Sequence, residues 1–286
     1  MDTNKEEIES SLSYHYCSVD TMFSIIQNKK LWLSSAKYMN DKYEVIWIDN
    51  IVEEVIKELH QEKPHDNAKL AEFKKIYDEI AFKEHFLMCF SENGDLLSQW
   101  RGYGDDAKGV SLGFNIFNAM SNIGLTSKSN GVNGEIPSTF RLGYESIDYN
   151  VKSMINNFIK RAINDKEQYK SNAIFIKELS SMAKHDYFSE ENEVRITYTP
   201  ENLYQDEINQ HLDKILKRIS NKKFRSQNSR LIPYYELNFN SEYNSLILPQ
   251  IILGSKSNID EKDLEEFLIQ NGFNETKIEK SEAPYI

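Results

Sequence analysis

An α+β fold is predicted, with a mixed, largely antiparallel central sheet and flanking helices. Three observations predict it. Short apolar or alternating runs of strand length recur along all 286 residues. Amphipathic helical periods separate some of these runs but not others, so there is no strict strand–helix–strand alternation. No Pro/Gly-rich linker divides the chain. Residues 12–286 therefore read as one domain with helical insertions at about 44–83 and 151–183, preceded by a polar, flexible N-terminus over 1–11.

In chain order, LSYHYC (12–17) has strand composition, and Ser18 can cap a helix from Val19 to about Asn28 with Met22, Ile25 and Ile26 on one face. LWLSS (31–35) is again strand-like. In MNDKYE (39–44), Asn40 and Asp41 can start a turn or cap the next helix. That helix presents Val45, Ile48, Val52, Val55, Ile56 and Leu59 inward until Pro64 breaks it. A further helix carries Leu70, Phe73, Ile76 and Ile80. The buried strand Phe86–Phe90, a turn, a short helix over 96–101 and the strand Val110–Phe114 follow. Residues 121–138 form a Ser/Asn/Gly-rich loop of a length that is usually functional or disordered. Phe140, Leu142 and Tyr144 alternate as in a strand, 151–183 hold two helices, and NEVRITY (192–198) is a strand. Ile208, Leu212, Ile215, Leu216 and Ile219 mark an amphipathic helix. Strands at 232–239 and 246–254 come next, Pro249 putting a bulge or an edge in the second. A capped helix from Ile259 to Gln270 ends at Gly272, and Lys277–Glu279 adds a last strand.

A formal charge of −11 argues against general coating of nucleic acid or anionic membrane, because the long-range field repels phosphate. The two cysteines, Cys17 and Cys89, sit in apolar strand-like runs and read as buried free thiols of a reducing compartment. The first residues carry Glu6, Glu7 and Glu9 and no apolar segment, and no window approaches 18 apolar residues, so a cytoplasmic location is expected. There is no P-loop, no G-x-G-x-x-G after a strand, no H-E-x-x-H and no zinc-type cysteine pair, and the six histidines show no ligand spacing. No metal is predicted.

Four groups of residues can carry chemistry. His15, bracketed by Tyr14 and Tyr16, is either a strand histidine satisfied by a backbone carbonyl or a ligand contact, and Ser34 and Ser35 follow on the next strand. Glu191 and Glu193 precede Arg195; residues two apart on a strand share a face, so both carboxylates and Arg195 would line one surface, with Val194 and Ile196 inward. Either this is a solvated edge pairing Arg195 with a glutamate, or one carboxylate polarises a substrate hydroxyl. Trp100, Arg101 and Tyr103 combine packing, a cation and a stacking face; glycines beside Arg101 allow a phosphate to approach, and Lys108 can support it. Lys214, Lys217, Arg218, Lys222, Lys223, Arg225 and Arg230 form a basic concentration, either a solvated helix face or a contact for nucleic acid or an acidic partner.

Several stretches together resemble, in the same order, the bacterial family called domain of unknown function 2971: YHYCS (14–18), LWLSS…MNDKYE (31–44), CFSENGDLLSQWRGYGDDAKGVSLGF (89–114), KHDYFSEENEVRI (184–196), IPYYEL (232–237) and IILG (251–254). The resemblance runs from about residue 14 to 254. MND replaces the usual Phe-Asn-Asp, and the family name assigns no activity.

The order His15, Ser34 or Ser35, then Glu191 and Glu193 also resembles the ADP-ribosyltransferase fold. That likeness implies NAD as substrate, with ADP-ribose transferred to a macromolecule or NAD hydrolysed, by a toxin or antiviral-defence effector. In it His15 would hold the nicotinamide ribose, Tyr16 or Tyr38 would stack on nicotinamide, and Glu193 would stabilise the oxocarbenium-like transition state. Phosphate would fall to Arg101 or Lys108. Two other expectations stand beside it: a non-catalytic nucleotide- or partner-binding module at Trp100, Arg101 and Tyr103, and a metal-dependent nuclease using Glu191, Glu193 and Asp41.

Overall fold

In the computed structural model, residues 12–38, 44–116, 118–119, 142–147, 150–200 and 217–285 are described. Asn40, Asp41, Lys214, the 121–138 loop and the N-terminal residues 1–11 lie outside them. The architecture is α+β. Its strands are β1 (Ser13–Cys17), β2 (Lys30–Ser35), β3 (Phe86–Ser91), β4 (Val110–Phe114), β5 (Leu142–Ser146), β6 (Glu193–Tyr198), β7 (Lys223–Gln227), β8 (Arg230–Asn238), β9 (Gln250–Leu253) and β10 (Lys277–Lys280). They form one open sheet with the path β10-β9-β4-β1-β3-β2-β8-β7, while β6 adds to β3 and β5 adds to β6. Among the described pairings only β9 with β10 is parallel.

One face of the sheet is apolar. Period-two alternation sends Leu31 and Leu33, Phe86, Met88 and Phe90, Leu112 and Phe114, Val194 and Ile196, and Ile251 and Leu253 into one core cluster. Two helices cover it. Helix α1 (Val19–Asn28) contributes Met22, Ile25 and Ile26; Ser18 caps it by accepting from the Thr21 N–H at 3.3 Å, and it ends at Lys29 in a left-handed conformation. The C-terminal helix Glu261–Gln270 contributes Leu264 and Leu268, is capped by Asp260, and is followed by Gly272 at φ 82°.

The two helical insertions pack on each other. Helix α2 (Glu44–Glu62) and α3 (Asn67–Glu79) from the first, and the helices Val151–Ala162 and Tyr169–Glu178 from the second, share a separate apolar cluster that includes Val52, Val55, Phe73, Ile155, Ile159 and Ile176. The chain leaves this layer through short 3₁₀ turns at Leu179–Ser181 and Asp186–Glu191, which deliver Lys184 and Glu191 to the start of β6.

Three expectations need correction. The helix expected through Ile219 does not reach that residue: 217–218 form a turn, and Ile219 makes an isolated bridge to Leu237 on β8. The basic segment is not a helix face where it is described; Lys223–Gln227 is the strand β7, folded onto β8 by Asn228 and Ser229, both at positive φ (50° and 57°). The strand expected over 246–254 starts only after Pro249, because Asn244–Ile247 forms a helical turn first. Among the described residues no helix is long and apolar enough to cross a membrane.

A candidate ligand cleft at a split in the sheet

The site follows from strand topology. β6 pairs with β3 along its whole length, Phe86 through Ser91. A strand has two edges, so β1 and β2 must share the other one. β1 meets it at Ser91 through Tyr14, and β2 meets it at Leu87 and Phe86 through Ser34 and Ser35. Between those ends β1 and β2 part, and the edge of β3 over Met88–Phe90 faces the gap. A cavity of about 820 Å³ fills this split. Tyr14–Cys17, Trp32, Ser34 and Leu87–Phe90 form its sides, α1 closes it from one face of the sheet, and Lys184, Glu191, Glu193, Arg195 and Arg225 line it from the other. Its volume is that of an ordinary small-molecule site.

His15 spans the gap. Its Nδ1 lies 3.0 Å from the Cys89 carbonyl oxygen. A carbonyl only accepts, so Nδ1 carries the hydrogen and Nε2 is the ring's remaining acceptor. Burial lowers the pKa of His15, and the Cys89 carbonyl offsets that in part; the ring is neutral at pH 7. His15 thus satisfies a backbone carbonyl, as one of its two sequence readings expects, and it also lines the cavity.

The carboxylates are held by two cations. Arg195 donates from Nε to Glu193 Oε1 at 2.7 Å and from Nη2 to Oε2 at 3.2 Å, and from Nη1 to the Ser181 carbonyl at 3.2 Å. Lys184 Nζ donates to Glu193 Oε2 at 3.0 Å and to Glu191 Oε2. Burial of Glu193 favours its protonated form, yet the Arg195 guanidinium and the Lys184 ammonium hold the carboxyl down at about 2. Burial likewise opposes the charge on Lys184, but Glu193 and Glu191 raise its pKa. The four formal charges cancel. Glu193 is therefore a fixed negative charge, while Glu191, only partly buried, accepts from Lys184 alone among the described contacts.

The cavity gathers His15, Tyr16, Ser34, Tyr103, Glu191 and Glu193 from the residues singled out in the sequence. Ser35, Tyr38 and Arg101 are not in its wall. Ser35 points the other way by strand alternation and donates to Glu84 at 2.8 Å. Arg101 is exposed, its guanidinium 4.8 Å from the centre of the Tyr285 ring. Lys108 is exposed and also lies outside the wall. Tyr16 is buried and committed: its hydroxyl donates to the Asn93 carbonyl and accepts from the Leu96 N–H, both at 2.8 Å, and its ring meets Trp100 edge-on at 4.9 Å. The aromatic surfaces left for a ligand are Trp32, Tyr103 and Phe188, each more than a third exposed.

Trp32, Lys184 and Gln227 are lining residues that the sequence does not single out, and Arg225, expected in a basic contact surface, lines the cavity instead. Trp32 follows from alternation with Ser34, whereas Arg225 and Gln227 need the β7–β8 hairpin to be recognised. Among the described residues no group of three or more His, Cys, Asp or Glu side chains is placed to hold a metal ion. Asp41, the third carboxylate of the nuclease expectation, lies outside them.

No curated protein and no solved structure matches the chain. Residues 99–196, running from the helix of Trp100 to the strand of Glu193 and Arg195, match the family model described as protein of unknown function (DUF2971).

Proposed function

We propose that the split cleft binds NAD and breaks its nicotinamide–ribose bond, passing ADP-ribose to a macromolecule or to water, as a cytoplasmic bacterial toxin or defence effector. One observation carries the reading: His15 of β1, Ser34 of β2, Glu191 at the end of the 3₁₀ turn Asp186–Glu191 and Glu193 at the start of β6 line a single cavity although they are drawn from distant parts of the sequence. In this reaction the C–N glycosidic bond breaks with its electron pair going to nicotinamide, which leaves neutral. The ribose carbon becomes oxocarbenium-like, and an incoming hydroxyl or water adds there and loses its proton. A carboxylate fixed in its ionised form beside that carbon stabilises charge that exists only in the transition state. Glu193 supplies it. Neutral His15 accepts a ribose hydroxyl through Nε2, and Glu191, with fewer partners, takes the proton of the incoming nucleophile.

The test is nicotinamide release by wild type against Glu193→Gln, with NAD-induced change in melting temperature measured on both. The expected outcome is release by wild type, a loss of roughly 100- to 1000-fold in the variant, and a raised melting temperature with NAD. No release together with no thermal response to NAD would rule the reading out.

A second reading is favoured by the saturation of Glu193, both of whose oxygens already accept from Arg195 and Lys184. In it the cleft senses a nucleotide without turning it over. Thermal stabilisation by NAD with no nicotinamide released at any enzyme concentration selects that reading.

A further inference from the structure

We propose that Arg225, with the Ser34 hydroxyl beside it and Trp32 beneath it, is an anion-binding subsite of the cleft that takes the diphosphate of a dinucleotide. The other cations of the cavity are spoken for. Lys184 and Arg195 are paired with Glu191 and Glu193. Glu236, on the same face of the neighbouring strand, is occupied by Lys30 at 2.8 Å and Lys223 at 2.9 Å. Arg225 has no carboxylate partner among the described residues.

Its geometry is that of a guanidinium reaching inward. β7 is the terminal strand of the sheet path, and Arg225 crosses β8 to donate from Nη2 to Ser34 Oγ on β2 at 3.1 Å. The guanidinium lies 5.6 Å from the centre of the Trp32 ring, and its Nε is buried with no acceptor. Arginine has five N–H donors in a planar fork and stays charged throughout the physiological range. A half-buried guanidinium with an unsatisfied N–H and no counter-ion is unfavourable in isolation, and an anion in the cavity removes both costs. Desolvation lowers the pKa of Arg225, and the neighbouring Tyr234 hydroxyl offsets this in part. Asp20 and Asp105, which also line the cavity, belong to α1 and to the loop after the short helix Leu97–Gly102, and neither forms a described ion pair or hydrogen bond with Arg225. Arg225 is thus a lining cation with no carboxylate of its own among the described contacts, and Trp32 beside it adds a partly exposed ring for a base to stack on.

Naming the anion as a diphosphate rests on the NAD reading; that an anion binds here does not. The experiment is calorimetric titration of wild type, Arg225→Gln and Arg225→Lys with NAD, ADP-ribose, inorganic pyrophosphate and nicotinamide riboside, which lacks the diphosphate. Melting temperature without ligand confirms that the edge-strand variants are folded. The expected result is that Arg225→Gln weakens NAD, ADP-ribose and pyrophosphate by roughly 10- to 100-fold, with Arg225→Lys between, while nicotinamide riboside binds equally to all three. Pyrophosphate binding that depends on Arg225, with no binding of NAD, keeps the anion subsite and removes the NAD reading. NAD binding of equal strength in wild type and Arg225→Gln overturns the subsite and leaves the NAD reading standing. No binding of NAD, ADP-ribose or pyrophosphate to wild type overturns both.

Discussion

Arg195→Leu is expected to destabilise the protein by about 3–5 kcal/mol, lowering its melting temperature by roughly 5–15 °C. Arg195 is 1% exposed, and its guanidinium donates twice to Glu193 and once to the Ser181 carbonyl. Removing it leaves Glu193 buried with Lys184 as its remaining cation, and the Ser181 carbonyl loses a donor. The double variant Arg195→Leu/Glu193→Leu should recover a large part of the loss, because no buried charge then lacks a partner. The same change alters the acid response. Glu193 titrates at about 2 when folded, below its ordinary 4.5, so the unfolded chain binds more protons between those values. Its contribution to stability is full above the unfolded value and is lost as pH falls towards the folded one. On the order of 3 kcal/mol is linked to that proton. In Arg195→Leu the depression is smaller, and stability should vary less between pH 4.5 and 2 than in wild type. Denaturant unfolding of both proteins at pH 6 and pH 3 measures this directly.

Trp100→Ala should cost about as much, 3–5 kcal/mol by the usual range for buried aromatics. Trp100 is fully buried. It packs edge-on against Tyr16, and Gly104 lies so close to its ring that a Cβ there would sit 2.5 Å from Cε3. Its Nε1 donates to Asp95 at 2.6 Å, and the same carboxylate accepts from the Ser281 hydroxyl and the Glu282 N–H. Truncation therefore removes a core contact and loosens a carboxylate that holds the C-terminal residues 281–282 in place. Faster amide hydrogen exchange at residues 281–285, together with the lowered denaturation midpoint, is the expected signature. Unchanged exchange there would mean that Asp95 holds the segment without Trp100.

How much of this was legible in the sequence depended on whether the cause was local. Helix α1 and the C-terminal helix announce themselves through Ser18 and Asp260, whose side chains cap the following N–H groups, and through periodic apolar residues. Alternation placed Glu193 and Arg195 on one face of β6 and Val194 and Ile196 in the core. Ser34 and Ser35 stayed alternatives in the sequence; only Ser34 lines the cavity, and Ser35 donates to Glu84. β7 was not legible: KFRSQ has no apolar stripe because it is an edge strand exposed along most of its length, and its turn uses Asn228-Ser229 rather than a glycine. Arg225 therefore reads as part of a basic contact surface and not of the cavity, which leaves Arg101 or Lys108 as the apparent phosphate cation. Arg101 is instead stacked on Tyr285, a residue nearly two hundred positions away. The cavity itself arises because β6 occupies one edge of β3 and forces β1 and β2 to divide the other. No local signal encodes that arrangement.

A crystal of the protein soaked with a non-hydrolysable NAD analogue tests the central claim most directly. The account predicts difference density in the split between β1 and β2, with the nicotinamide ribose against His15 and Glu193 and the diphosphate against Arg225 and Ser34. Density at the exposed Arg101–Tyr285 surface instead, or an empty split at saturating ligand, would contradict it.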